Sequence, residues 1–310
     1  MKGKSILVTG GTGSWGHAFV RRVLKDGPPH RLVIYSRGEH RQEDMQREFD
    51  HPSLRFMIGD IRDRQRLEMA MNGIEIVFHA AALKIVPTCE YNPFEAVMTN
   101  INGAENVCRA AMAAGVPKVI ALSTDKAVNP LNLYGATKLA AEKIFVAANN
   151  LSAGRVSFSV ARYGNVVGSR GSVVPLFKSL HSQHKPLPIT DERMTRFWMT
   201  LDQAVELVLS SVDMMHGREI FIPKIPSMRL VDLAKAIDPE GRKTIVGIRP
   251  GEKLHEVLLT EDESHLCLET WDRYIINPDP DISNNMKPGF RYASDTNPKF
   301  LTVDELRNMI

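Results

Sequence analysis

The sequence lacks the features that would tie it to a disulfide scaffold, a membrane or a nucleic acid. Its three cysteines, Cys89, Cys108 and Cys267, form no C-x-x-C pair, and an odd count argues against a disulfide framework. A reducing cytoplasm is the expected compartment. No window holds the ~18 uninterrupted apolar residues that a membrane helix needs. The start, MKGKSILVTGG, has no long apolar stretch and runs straight into glycines, so a signal peptide is not expected. Lysine and arginine form no dense tract, and a net charge of +3 is too small to argue for nucleic acid. Repeats, low-complexity tracts and metal-ligand spacings are missing too, so no metal is expected. What is there is an ordinary globular balance, 43% hydrophobic and 24% charged over 310 residues, enough to bury a large core. The small positive surplus suits an anionic small molecule held by a few local cations.

The first half alternates two rhythms. Short apolar or β-branched runs at residues 5–9, 32–35, 55–58, 75–79, 119–123 and 156–160 read as strands. Helical patterns lie between them at 15–25, 39–49, 64–71, 93–114 and 134–148. Short apolar strands with crossover helices predict an α/β protein, a doubly wound parallel sheet covered on both faces. After about Gly164 the rhythm weakens and proline becomes frequent, which predicts a smaller mixed cap. The expected division is a dinucleotide-binding domain at 1–167, a cap segment at 168–197, a return to the first domain at 198–222 and a substrate-binding cap at 223–310. The stretch 277–298, rich in Asp, Asn and Pro, reads as loop.

TGGTGSWG, Thr9–Gly16, follows the first strand directly. Gly10 and Gly13 permit a tight turn and close approach of backbone to a pyrophosphate. Gly16 lets the next helix pack on the strand, and that helix's N-terminus attracts phosphate. Thr12, Ser14 and Trp15 lie within the turn. A generic strand–helix turn is the plainer reading. The second strand ends in Ser36-Arg37, with Arg41 beyond, where an acid would bind the ribose of NAD. Arginine there suits the 2′-phosphate of NADP; the alternative is a solvated loop arginine. Asp60, before Ile61, is placed to meet the adenine amino group. Ala80, Ala81 and Ala82 fit either close approach of a dinucleotide or tight packing.

The fifth strand ends in Ser123-Thr124-Asp125-Lys126, and Tyr134 opens YGATK with Lys138 at i+4, on the same helical face. A free tyrosine titrates near pH ~10, so a neighbouring cation is needed to make it a base at neutral pH. Thr124 offers a hydroxyl beside a substrate alcohol. The plainer reading of Asp125-Lys126 is a turn with a surface ion pair. Lys84, in AAALK, is either a second lysine near the substrate or a loop lysine. His79, at a strand end, reads as structural.

TGGTGSWG, STDKAVNP and YGATK resemble the extended short-chain dehydrogenase/reductase family, a Rossmann fold, over nearly the whole chain. STDKAVNPLNLYGATK, RYGNVVGSRGSVVP, TRFWMT, PKIPSM and GIRPGEKLHE more closely resemble the UDP-N-acetylglucosamine 4,6-dehydratases (inverting) that begin pseudaminic-acid synthesis. The resemblance implies a carbon–oxygen lyase that holds NADP tightly and acts on UDP-N-acetylglucosamine or a related nucleotide sugar. It implies Tyr134 as base for the oxidation at carbon 4, with Lys138 and Thr124 beside it. Asp125 would be the acid for the leaving 6-hydroxyl and Lys126 the base at carbon 5. Related dehydratases of the other branch carry Glu where this chain has Lys126, which favours the acetamido-sugar branch.

On the cap, Ser172 and Val173 open a helix whose N-terminus favours a diphosphate. By resemblance, Asn165 contacts substrate, Lys178, Arg249 and Glu252 meet the diphosphate and ribose, and Thr190 approaches the uracil. Met194 and Thr195, with Arg196, form a sugar–phosphate strap. Each also reads as scaffold. Small residues on 93–114 and 134–148, among them Ala110, Ala111 and Ala141, suggest a homo-oligomer, which the resemblance also implies. A 4-epimerase, a non-catalytic NADP-binding scaffold and a dehydratase of another nucleotide base are the competing readings.

Overall fold

Ser5–Thr9 is buried at every position and forms β1, since its apolar centre, Ile6 to Val8, suits a strand covered on both faces. In the computed structural model, which describes residues 1–169, 171–277 and 286–310, five more strands follow: β2 (Arg31–Ser36), β3 (Leu54–Ile58), β4 (Ile76–His79), β5 (Lys118–Thr124) and β6 (Ser157–Tyr163). Between them run α1 (Ser14–Asp26), α2 (Glu39–Phe49), α3 (Arg64–Met71), α4 (Val86–Tyr91), α5 (Pro93–Val97), α6 (Gly103–Ala114) and α7 (Leu133–Ser152). β1 pairs in parallel with both β2 and β4. The chain therefore winds one way through β2 and β3 and the other way through β4, β5 and β6. The crevice at the carboxyl ends of β1 and β4 is the switch point at which such sheets take ligands. The doubly wound expectation holds.

The single helix expected over 93–114 is instead α5, a π-turn at Met98–Asn102 and α6. At the wide turn Asn100 is buried and holds both the N–H and the carbonyl of Leu83, at 2.8 and 2.9 Å, and Thr137 at 3.0 Å. That clamp fixes the segment after β4 against α7. Periodicity does not reveal such a one-residue insertion.

The rest of the chain adds β7 (Asn165–Val166), α8 (Val173–Ser182), β8 (Leu187–Ile189), β9 (Thr195–Met199), α9 (Leu201–Met214), β10 (Ile220–Pro223), β11 (Ser227–Arg229) and α10 (Leu230–Ile237). It continues with β12 (Lys243–Ile245), β13 (Val257–Leu259), α11 (Glu261–Ser264), β14 (Cys267–Glu269), β15 (Arg273–Ile276), β16 (Tyr292–Ala293) and α12 (Val303–Met309). β10 lies parallel to β6, so part of 198–222 does run in the main sheet. Within 223–310, β15 and β14 also extend that sheet, antiparallel. Strands of three and four residues are too short to show a pattern. Within the stretch 277–298 read as loop, residues 278–285 lie outside the described residues, and Tyr292–Ala293 is a strand paired with β13.

The cap has its own core. Val174 and Phe177 of α8, Leu187, Ile189, Trp198, Leu233 of α10 and Leu306 of α12 pack together. A buried ion triad ties α7 to the cap side: Arg162 on β6 donates to Glu142 on α7 at 2.7 and 3.0 Å, to Glu263 on α11 at 2.8 and 2.9 Å, and to the Leu258 carbonyl. Charges so deep require this degree of pairing. Among the described residues no helix is long and apolar enough to cross a membrane.

Candidate active site

One cleft of about 1210 Å³ runs along the carboxyl ends of the parallel strands and under the cap. Its sheet side is built from the glycine turn. Gly10 has φ +67°, and a Cβ there would sit 2.7 Å from Ala81 Cα. A Cβ on Gly16 would overlap the Gly11 carbonyl, so the first turn of α1 sits directly against the turn that leaves β1. α1 begins at this turn with no side chain capping it, leaving its N-terminus open to the cleft. Thr12, Gly13, Ser14, Trp15, Ser36, Arg37, Arg41, Asp60, Ile61, Ala80, Ala81, Ala82 and Lys84 all line the cleft.

Asp60 does not stand free for a base. It accepts from Arg62 at 2.7 and 2.9 Å, and Arg37 lies 3.7 Å away. Burial pushes its carboxyl up, but the Arg62 hydrogen bonds and charge outweigh this and hold it below its ordinary range. His79 is buried against Thr9, at 2.8 Å, and Phe145. Burial, with Lys138's charge, pushes it down to about 3, so it stays neutral and structural.

At the end of β5 the chain leaves strand geometry for a 3-10 turn, Asp125–Ala127, capped by Thr124. The bend lets adjacent side chains converge that a regular strand would send to opposite faces. Asp125 Oδ1 accepts from Thr124 Oγ1 at 2.9 Å and from Lys126 Nζ at 3.0 Å. Burial pushes the Tyr134 hydroxyl up to about 12, against the opposing pull of Lys126 and Thr124. Lys138, one turn on, donates to the Leu122 carbonyl at 2.7 Å and is pushed down to about 8 by burial, against Glu142. Burial works to lower Lys126 too, but Asp125 and Glu256 reverse the sign and hold it above the usual lysine range. Lys84 is pushed down, by burial first and then by Lys126's charge.

On the cap side, Asn165, Ser172, Val173, Thr190, Met194, Arg196, Arg249 and Glu252 line the cleft. Three expected residues do not. Thr195 is buried, bonded to His255 at 2.8 Å and Ser294 at 2.7 Å, so it is scaffold. Lys178 is exposed on α8, whose buried face carries Val174 and Phe177. Asp125 lies fully buried behind Lys126. Sequence reasoning missed Lys253 and Glu256, although both stand in the motif GIRPGEKLHE. Lys253 Nζ donates to the Val128 carbonyl, and Glu256 Oε1 lies 3.4 Å from Lys126. The nearby buried atoms Trp15 Nε1, Thr99 Oγ1, Ser123 Oγ, Asn165 Oδ1, Ser172 Oγ and Trp198 Nε1 find no partner in the protein, and all six residues line the cleft. Such a wall is completed by a polar ligand, because buried donors and acceptors left unmet are costly. Among the described residues no group of metal-ligating side chains exists.

The family model described as "Polysaccharide biosynthesis protein" matches residues 6–278. A UDP-N-acetylglucosamine 4,6-dehydratase (inverting) of Campylobacter jejuni is 52% identical, over 99% of this chain and 97% of that relative. A UDP-glucose 4-epimerase of Rickettsia conorii is 45% identical, over 89% of this chain and 83% of the relative. The structure of Pen from Bacillus thuringiensis is 40% identical with a TM-score of 0.93, covering 100% of this chain and 97% of that one. DesIV, a dTDP-glucose 4,6-dehydratase from Streptomyces venezuelae, has a TM-score of 0.73 at 23% identity, over 81% and 86% of the chains, a likeness of fold.

Proposed function

The chain belongs to the polysaccharide biosynthesis protein family, and from that premise we propose that it is an NADP-dependent UDP-N-acetylglucosamine 4,6-dehydratase that inverts carbon 5 and so feeds pseudaminic-acid synthesis in the cytoplasm. The observation that carries the reading is the turn that gathers Thr124, Asp125 and Lys126 beside Tyr134, in a chain 52% identical to a dehydratase of that name. Three buried free cysteines suit a reducing compartment.

The sheet wall fits a dinucleotide. Gly10, Gly13 and the open N-terminus of α1 would hold the pyrophosphate, Arg37 and Arg41 the 2′-phosphate, and Lys138 the nicotinamide ribose. When bound, NADP would supply a reversible hydride acceptor for oxidation at carbon 4 and reduction at carbon 6. Tyr134 Oη takes the proton of the 4-hydroxyl, and the Lys126 charge, which pulls against burial at Tyr134, favours the resulting phenolate, with Lys138 one turn on. Asp125, once protonated, is the acid for the leaving 6-oxygen in this reading; buried behind Lys126, it reaches the cleft when that side chain moves aside. Lys126 removes the carbon-5 proton. Lys84 is the second reading for that base, because burial and the neighbouring charge tip it toward the neutral amine. Asn165, Ser172, Thr190, Arg249 and Glu252 would hold the nucleotide sugar.

In deuterium oxide the product should lose water, gain one deuterium at carbon 5 and have the L-arabino configuration by proton NMR. Asp125→Asn and Lys126→Ala should stall at the 4-keto sugar, with the cofactor reduced. Unchanged product mass would make the chain an epimerase; no turnover would make it a scaffold. A homo-oligomer belongs to the same reading. Ala110, Ala111 and Ala141 are buried in the chain's own core, but Met112, Ile144 and Leu151 line an apolar groove between α6 and α7 that a second copy would fill. A monomeric mass by light scattering at micromolar concentration would exclude it.

A further inference from the structure

Glu256 precedes β13, is 2% exposed and lines the cleft. Its Oε1 lies 3.4 Å from Lys126 Nζ and 3.7 Å from Arg196 Nε; Oε2 lies 3.7 Å from Lys253 Nζ and accepts no hydrogen bond. A carboxylate this deep needs compensating cations. Two of the three are engaged elsewhere. Arg196 donates to the carbonyls of Thr195, Lys253 and Leu254, and Lys253 to those of Asp125 and Val128. Lys126 thus sits between two carboxylates from different parts of the chain, Asp125 on its own turn and Glu256 on the cap.

We propose that Glu256 is a positioning residue for the carbon-5 proton transfer: it holds the Lys126 amine against the cap, and its charge decides at what pH that amine can act as a base. The inference rests on the reading of Lys126 as that base. In the step itself, Lys126 first gives its own proton to water in the cleft. Asp125 then takes up a proton from water in the cleft; the carbon 5–hydrogen bond breaks toward Nζ, its electron pair forms the enolate of the 4-ketone, and the 6-oxygen leaves as it receives the Asp125 proton. The groups facing Lys126 are Asp125 on its turn, Glu256 and Lys253 on residues 249–256, Arg196 on β9, Tyr134 on α7 and Lys84 after β4. With Glu256 neutralised, one carboxylate faces three cations, so the ammonium gives up its proton more readily.

The test is carbon-5 deuterium exchange into UDP-N-acetylglucosamine, followed against pH in the NADP-loaded enzyme. Exchange should fall toward acid in the wild type. Glu256→Gln should move that limb to lower pH by about one unit, which is about tenfold faster exchange at a fixed pH on the limb. Glu256→Asp keeps the charge and should keep the limb while lowering the plateau. An unmoved limb in Glu256→Gln, or one moved to higher pH, overturns the proposal. Should that variant not fold, nitrogen-15 NMR of the wild-type lysine amines decides, with Lys126 identified by its loss in Lys126→Ala. The proposal requires a charged Lys126 up to about pH 10 in the free enzyme, and a neutral amine at about pH 8 overturns it. Exchange retained in Lys126→Ala removes the base assignment itself; exchange lost there, with an unmoved Glu256→Gln limb, removes this inference alone.

Discussion

On the sheet side of the cleft much of the wall is main chain. Gly10 has no room for a Cβ beside Ala81, nor Gly16 beside Gly11, and α1 opens there without a side-chain cap. On the cap side the wall is side-chain charge, with Arg196, Arg249, Glu252, Lys253 and Glu256 arriving from segments on either side of α9 and α10. The first wall is held by sterics and tolerates no added atom. The second is held by a balance of burial and charge that shifts with each charge removed. Between them lies the Asp125–Ala127 turn, hydrogen bonded to its own strand end and to the cap through Lys253.

The largest effect should fall at that seam. Tyr134→Phe keeps the ring and removes the oxygen, so turnover should drop about 10²–10⁴-fold while calorimetry finds cofactor affinity unchanged. A parallel loss of cofactor would place Tyr134 in the sheet wall and blur the contrast. A smaller effect should appear where the sheet wall does rely on charge. Arg37→Asp should weaken NADP about 10–100-fold and NAD far less, the worth of one charge-assisted contact; equal losses would leave Arg37 as a loop arginine.

The smallest should be a stability effect confined to the sheet side. His79 is held near 3 in the fold, below the ordinary 6.5. The unfolded chain therefore takes up the proton first as pH falls. The stability is fully present above about 6.5 and drains away toward 3, with roughly 1 kcal/mol lost by about pH 5.5. His79→Gln should flatten that part of the urea-unfolding curve against pH without moving the acid limb of turnover. A moved limb would couple the two walls.

The central sheet is legible in the sequence because its first six strands are short, mainly apolar or β-branched runs, broken by Arg55 on β3 and by Ser159 and Arg162 on β6, and the helices between show a 3.6-residue period. The glycine turn is legible for a similar reason: a steric demand is local and leaves a fixed spacing. The π-turn at Met98–Asn102 is not legible, nor are β14 and β15, which are too short for a period. Thr195 and Lys178 mislead because residue type and motif say nothing about which way a side chain faces. Thr195 turns to His255, and Lys178 turns to solvent.

The sequence by itself determined the winding of the sheet, the site of the crevice and the residue types at its edge, since all three follow from patterns within a few tens of residues. Tertiary structure decided the state of those residues. Lys126 is held charged, against burial, by its neighbour Asp125 and by Glu256, which only the fold brings to 3.4 Å; and Asp60 is engaged by Arg62 and approached by Arg37. Charge acts through space and is amplified by burial, and chain order encodes neither.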